Sequence, residues 1–468
     1  MSETAIELAA PHPNSTLKIP LWIDEQIWGH RLWDSQSPWL IFLEFLSVAE
    51  ACLRDGHLLD PSRSTFPLHF QPSQRMYLRN ILFNNEPLKR IAEEHSTSGA
   101  AWTAWLRWMS ENAQGVPTRD FSYLVERFAS YHEFARLIEM LRRSTVEGQS
   151  NRRSTSQFVF PFGANGIYED LALTKAGGLE RQYINFGRVG ELVYLMLSRS
   201  SKHAEIGEHL HRYLTAENPW NRLLGLLQPT PQEKRDLRGQ SYLPYESHPA
   251  YERLAQDWLA VLRLGLPGFD TFPHLVALSA MHVMLYQLEL ASTWAADGAK
   301  DYMVCEIVAP KKTLVRELSA ANYVRNSTLS AQAVERYVEW VSNSEAWQNA
   351  LEDPVPFERC REVLEDVVWW GRDYNGSTEP EALLAELRRT ALSRHRQHAG
   401  NVHRTYGREI GLVSKRGTNR LRYAPTDPLL KTLLFATVPH RMEFGEFLRG
   451  LYERYGLVIG EREAARRV

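Results

Sequence analysis

Cysteine is nearly absent: Cys52, Cys305 and Cys360 are the three in a chain of 468 residues. They are far apart, odd in number and in no C-x-x-C spacing. That argues against a disulfide framework and against a thiolate zinc site, and a reducing cytoplasm fits this usage. Lysine is also scarce, ten against 44 arginines. None of the ten has Asp or Glu two positions before it, so the carboxylate-x-lysine element of many metal-dependent nucleases is missing. No H-x-K pair occurs, which removes phospholipase-D-type nucleases. No G-x-x-x-x-G-K-[ST] is present, so a P-loop ATPase is excluded, and H-E-x-x-H, G-x-S-x-G and G-x-G-x-x-G are missing too. No uninterrupted apolar run reaches the length of a membrane span, and the run from Pro38 to Leu46 is broken by Glu44. The first twenty residues carry two acids and no base before Lys18, unlike a signal peptide.

What is present is ordinary in bulk and unusual in one place. Hydrophobic content of 44% and charged content of 24% are those of a globular protein too long for one core. Net charge is −2, so any polyanion binding must come from a local patch. Residues 388–422 supply that patch, with ten Lys or Arg side chains against one acid, Glu409. The other 433 residues hold 44 basic and 55 acidic side chains. Charge concentrated in this way repels itself and calls for a counter-charge, most commonly phosphate. The excess of arginine is consistent either with a GC-rich genome or with bidentate phosphate contacts.

Apolar spacing predicts helices over 39–54, 75–83, 102–109, 121–143, 188–199, 203–214, 250–264, 274–296, 313–325, 331–350 and 356–370. Polar, turn-rich stretches at 144–157, 229–249 and 371–378 read as linkers or loops. Phe158–Phe162 and Met303–Val308 read as short strands. Thr378 and Glu381 form a capping box for a helix over 379–399, which Gly400 and Asn401 should end. Beyond it, 412–414 and 420–423 flank a five-residue turn and predict a hairpin, with two helices near 428–437 and 441–455. The expectation is a mainly α, multi-domain helical protein with a few short strands and a C-terminal β-hairpin plus helices. Its regions are a Trp-rich helical domain (1–145), a helical domain with short strands (158–370) and a basic C-terminal domain (379–468).

In the hairpin, Leu421 and Tyr423 alternate with Arg420 and Arg422, so one face can pack while the other turns guanidiniums outward. Arg394, Arg396, Arg404, Arg408, Lys415, Arg416, Arg420 and Arg422 are the expected nucleic-acid-binding residues, contacting phosphate rather than reading bases. His395, His398 and His403 splay too widely for one metal site and read as a solvated or phosphate-contacting set. His203, Glu208, His209 and His211 are no better arranged, and His274 and His282 read as core histidines. Arg152, Arg153, Ser154 and Asn165 could bind an anion and Glu169–Asp170 a cation, although a plain surface loop is favoured; Arg188 and Glu191 can pair at i, i+3. Trp22, Trp28, Trp33 and Trp39, with the triplet Trp102, Trp105 and Trp108, read as core or interface. No metal or cofactor is expected.

The blocks LWIDEQIWGHRLWD (21–34), FVFPFGANGIYEDL (158–171), GRVGELVYLMLSRS (187–200) and KRGTNRLRYAPTDPLLKTLL (415–434) resemble those of uncharacterised bacterial proteins encoded in anti-phage defence clusters. That resemblance implies a non-ATPase subunit acting beside a helicase or translocase. It carries no catalytic motif, so no functional residue is carried over. The leading expectation is a cytoplasmic, non-catalytic nucleic-acid-binding subunit, with DNA favoured over RNA. The alternatives are a scaffold whose basic face docks an acidic protein, and a His-dependent metal hydrolase.

Overall fold

The computed structural model describes residues 23–28, 32, 36–63, 68–146, 156–175, 178–182, 186–229, 247–295, 302–307, 314–415 and 419–460. Trp22, Trp33, Arg152, Arg153, Ser154, Arg416 and most of the 229–249 stretch lie outside them. The described chain is mainly α. It begins with α1 (Ile23–Trp28) and α2 (Pro38–Arg54). Pro38 fits the first turn of α2, and the Ser37 hydroxyl caps it by accepting the Leu40 N–H. Next come α3 (Met76–Leu82), α4 (Leu88–Glu94), α5 (Ser98–Asn112), α6 (Tyr123–Arg127) and α7 (Tyr131–Arg143). The segment 121–143, expected as one helix, is two. The chain is extended at Phe128 and Ser130, and the Ser130 hydroxyl starts α7 by accepting the Glu133 N–H.

Two small antiparallel pairs follow, β1 (Thr145–Val146) with β2 (Phe158–Val159), and β3 (Leu171–Leu173) with β4 (Leu179–Arg181). Helices resume with α8 (Val189–Ser198), α9 (His203–Leu214), α10 (Pro219–Leu226), α11 (Pro249–Leu262) and α12 (Gly268–Ala295). α12 is long and apolar enough to cross a membrane by length and composition, but 89% of that window is buried inside the protein, where it forms the axis of the core. After β5 (Met303–Cys305) runs α13 (Leu314–Ser342), where two helices were expected. In its polar middle, Asn322 and Asn326 each bond to backbone outside the helix. Asn322 Oδ1 accepts the Val304 N–H at 2.9 Å, and the Asn326 amide donates to the Tyr302 carbonyl at 2.9 Å.

The C-terminal part holds α14 (Glu345–Leu351), α15 (Pro356–Val368), α16 (Pro380–Gln397), α17 (Ala399–Glu409), the antiparallel pair β6 (Val413–Ser414) and β7 (Arg422–Tyr423), α18 (Asp427–Thr437), α19 (Phe444–Tyr455) and β8 (Leu457–Ile459). β8 lies parallel to β5, pairing Met303 with Leu457 and Cys305 with Ile459. One further backbone bond, Glu306 N–H to the Tyr423 carbonyl at 2.9 Å, ties β7 to the end of β5.

The hydrophobic cores cut across the expected regions. The larger gathers side chains from Ile23 to Leu457, with α2, α8, α11, α12, α13, α16 and α17 all contributing. The smaller is built by α3 to α7 and closed by Leu224 and Leu227. α2 is the wall between them: Leu40 and Leu43 face the smaller core, while Ile41, Phe42, Phe45 and Leu46 face the larger. Divisions at 145/158 and 370/379 therefore do not coincide with separate cores. A helix as apolar as α2 must be covered on most sides, and it recruits neighbours from distant sequence to do so.

Candidate nucleic-acid interface

α16 and α17 carry most of the basic window. Leu383, Leu387, Ala391 and His395 recur every fourth residue and bury one stripe of α16. Arg388, Arg389 and Arg396 lie exposed on other sides of it. Arg389 is already engaged by Glu386, with an Nε–Oε2 bond of 2.8 Å. Glu379 stands at the N-cap of α16 with no side-chain cap bond, so the expected capping box is not used. The expected end at Gly400 is also corrected. His398 departs from helical geometry (φ −135°, ψ −83°), but Ala399 begins a second helix at once. The Asn401 amide bridges the break by donating to the Arg396 carbonyl at 2.8 Å. In α17, Ala399, Val402, His403 and Tyr406 turn inward, leaving Arg404 and Arg408, one turn apart, in solvent. Both guanidiniums stand near Tyr323 of α13. Burial raises that phenol to about 12 while their charges pull it down.

The hairpin exists, but its pairing differs from the simple alternation. Ser414 faces Arg422 and Val413 faces Tyr423. Arg422 does not turn outward: it is 1% exposed, its Nε donates to the Glu306 carboxylate, and its Nη1 donates to the Lys415 carbonyl at 3.1 Å. Two neighbouring residues, Arg422 and Tyr423, are both buried because the strand is covered on both faces by α13 and by the end of β5, where a carboxylate waits for the guanidinium. Arg422 is therefore removed from the phosphate-contacting set. Of the other expected contacts, Arg396, Arg404, Arg408, Lys415 and Arg420 are exposed and Arg394 is half-buried; Arg416 lies outside the described residues.

His395 and His403 of the window are buried rather than solvated, and His398 is half-buried. His395 is buried, stacked on Trp28 at 5.6 Å, with Nε2 3.0 Å from the Ser330 hydroxyl and Nδ1 3.4 Å from Asp24. His403 is buried with Nε2 2.7 Å from the Tyr423 hydroxyl, and burial lowers its pKa to about 4. That hydroxyl also accepts from the Asn326 amide at 3.0 Å, so its proton points at His403, which is held neutral as an acceptor. His282 and His274 are core histidines as expected, bonded to Asp257 at 2.6 Å and to Thr432 at 2.7 Å. Trp28, Trp102 and Trp105 are core residues as well. Among the described residues, no group of three or more His, Cys, Asp or Glu side chains could hold a metal ion.

The sequence reading missed two buried charge networks. In the first, Arg181 of β4 is surrounded by three glutamates: Glu44 of α2 at 2.8 Å, Glu169 at 3.1 Å, and Glu191 of α8. Glu44 also accepts the backbone N–H groups of Arg188 and Gly190 and the Gln36 amide, at 2.8 to 3.0 Å. Burial pushes the Glu44 carboxyl up to about 7, opposed by Arg181 and assisted by the charge of Glu191. Glu169, considered for a cation, is thus engaged by an arginine, and Asp170 accepts the Ser156 hydroxyl at 2.6 Å. Glu191 likewise reaches Arg181. All four side chains are at most 3% exposed, so the cluster is closed to substrate. Arg188 and Arg75, which adopt left-handed backbone (φ 70° and 50°), flank this part of the fold as helix N-caps. The one signal in the sequence was Glu44 itself, an acid inside an otherwise apolar helix. In the second network, Asp257 of α11 collects His282, the Tyr455 hydroxyl at 2.7 Å and the Arg454 guanidinium.

No protein-family model, curated protein or solved structure matches this chain.

Proposed function

We propose that the chain is a non-catalytic subunit that grips a nucleic-acid backbone along the end of α16, α17 and the hairpin. The observation that carries this reading is the exposed set Arg396, Arg404, Arg408, Lys415 and Arg420, drawn from adjoining elements whose opposite sides are packed into the core. Outward guanidiniums on a rigid helix suit phosphate contact, which is sequence-independent, and DNA remains the favoured polymer. The resemblance of four sequence blocks to anti-phage defence proteins extends the proposal to a cytoplasmic bacterial assembly, working beside a helicase or translocase.

The test is the affinity for duplex DNA as a function of salt. Five phosphate contacts predict that log K falls against log salt with a slope of about −4.5. Arg404→Glu with Arg408→Glu should flatten that slope by about two contacts and weaken binding at least about tenfold. Arg422→Glu is unsuitable, because it would place an acid against Glu306 inside the fold. Binding that is absent, indifferent to salt, or unchanged by the double reversal would discard the reading.

A further inference from the structure

A cavity of about 1000 Å³ lies between the starts of α2 and α12, the end of α17, and α18. Three aromatic rings line it, those of Trp39, Phe269 and Phe435. Among the described residues, its charged lining groups are Asp270, Glu409, Asp427 and Lys431, and all four are exposed to solvent. The deeper polar groups are neutral: His274 is 8% exposed and Thr432 2%. Their hydrogen bonds fix what they offer. The Thr432 hydroxyl donates to the Pro428 carbonyl at 3.0 Å, so its one proton is used. It therefore accepts from His274 Nδ1, 2.7 Å away. That leaves Nε2 as the unprotonated nitrogen of the ring. Nε2 has no hydrogen-bond partner among the described residues, yet it is not sealed inside the core. Burial, and after it the charge of Lys431, hold His274 below its usual pKa against the opposing pull of Asp270, so the ring is neutral near pH 7. The Phe435 ring packs edge-on against the imidazole at 4.9 Å, with the Lys431 ammonium 5.3 Å from its own centre.

We propose that this cavity binds a small, neutral aromatic molecule carrying a hydroxyl or N–H donor. The donor meets His274 Nε2, and the aromatic body lies against Trp39, Phe269 and Phe435. An acceptor that is more than nine-tenths buried and unpartnered within the fold favours a ligand that brings it a proton and rejects one that covers it without a donor. Apolar walls around a few fixed polar groups are the usual make-up of a small-molecule site, and the volume is at the upper end for one. The exposed lining holds charges of both signs, Lys431 with Asp270 and Asp427, so it selects neither an anion nor a cation. The inference does not rest on the nucleic-acid reading, since none of the five exposed basic side chains of that surface lines the cavity.

The experiment is calorimetric titration of the full chain with indole and with N-methylindole, which has the same rings and no N–H. Indole should bind with a dissociation constant below about 0.1 mM. N-methylindole should bind at least about tenfold more weakly, because it leaves Nε2 without a proton. Indoleacetate, which adds a carboxylate to the same rings, should not displace indole. Phe269→Ala removes a ring that is 63% exposed and leaves the core untouched, and it should weaken indole about tenfold while keeping the preference for the N–H. These measurements need only the parent chain and a surface variant. His274→Phe, shown to be folded by its thermal unfolding midpoint, should erase the preference. Absence of indole binding, equal binding of the two indoles, displacement by indoleacetate, or indifference to Phe269→Ala would overturn the proposal, as would a preference that survives in folded His274→Phe.

Discussion

At the scale of single residues, the molecule uses buried polar groups to hold distant segments in register. Arg181, Asp257, His395 and His403 each join different elements of the fold through buried polar partners. Such groups add little net stability compared with apolar substitutes, but removing one partner strands the rest. His403 makes this measurable. Its folded pKa, about 4, lies below the ordinary value near 6.5, so between those values the unfolded chain binds a proton that the native chain refuses. Stability should therefore fall as pH drops from 6.5 to 4, by on the order of 3 kcal/mol from this residue. His248 and His274, lowered by burial, act in the same direction. Urea unfolding of His403→Gln should show a shallower acid decline than the parent; an identical decline would place the effect elsewhere.

At the scale of elements, α2 and α8 cross closely, and the crossing depends on one missing side chain. A Cβ on Gly190 would stand 2.5 Å from the Ile41 carbonyl oxygen and 2.6 Å from the Phe45 nitrogen. These are backbone atoms and cannot rotate away. Gly190→Ala should therefore force the helices apart and pull the backbone N–H at 190 from Glu44, costing about 3 kcal/mol of stability, read as a lowered urea midpoint. Gly207, in α9, has nothing within 4 Å of its Cβ direction. Gly207→Ala should instead stabilise by about 0.5–1 kcal/mol through helix propensity. The hairpin shows the limit of element-level reading. Alternation assumes one covered face, and β7 is covered on both.

At the scale of the whole molecule, the chain behaves as interlocked cores rather than beads. Trp28 donates to the Gln287 carbonyl at 3.1 Å, and β8 completes a sheet with β5 across more than 150 residues of sequence. A protease site placed in the exposed turn at 375–377, between α15 and α16, should thus yield fragments that co-elute on a sizing column and part only in denaturant. Fragments that separate under native conditions would restore the division into independent regions.

The helical class, most helix positions, the hairpin and the basic window were legible in the sequence, because 3.6-residue apolar spacing and local charge density are properties of neighbouring residues. The second helix at Ala399–Glu409 was not, since Gly400 and Asn401 end a helix only if tertiary contacts do not carry it on. Tertiary structure alone decided that Arg422 turns inward to Glu306, that Arg181 gathers Glu44, Glu169 and Glu191, and that His395 and His403 are core groups. Sequence ranks a charged side chain by its exposure when alone; folding brings it a partner from afar, and at short range in a dry interior that partner outweighs solvation.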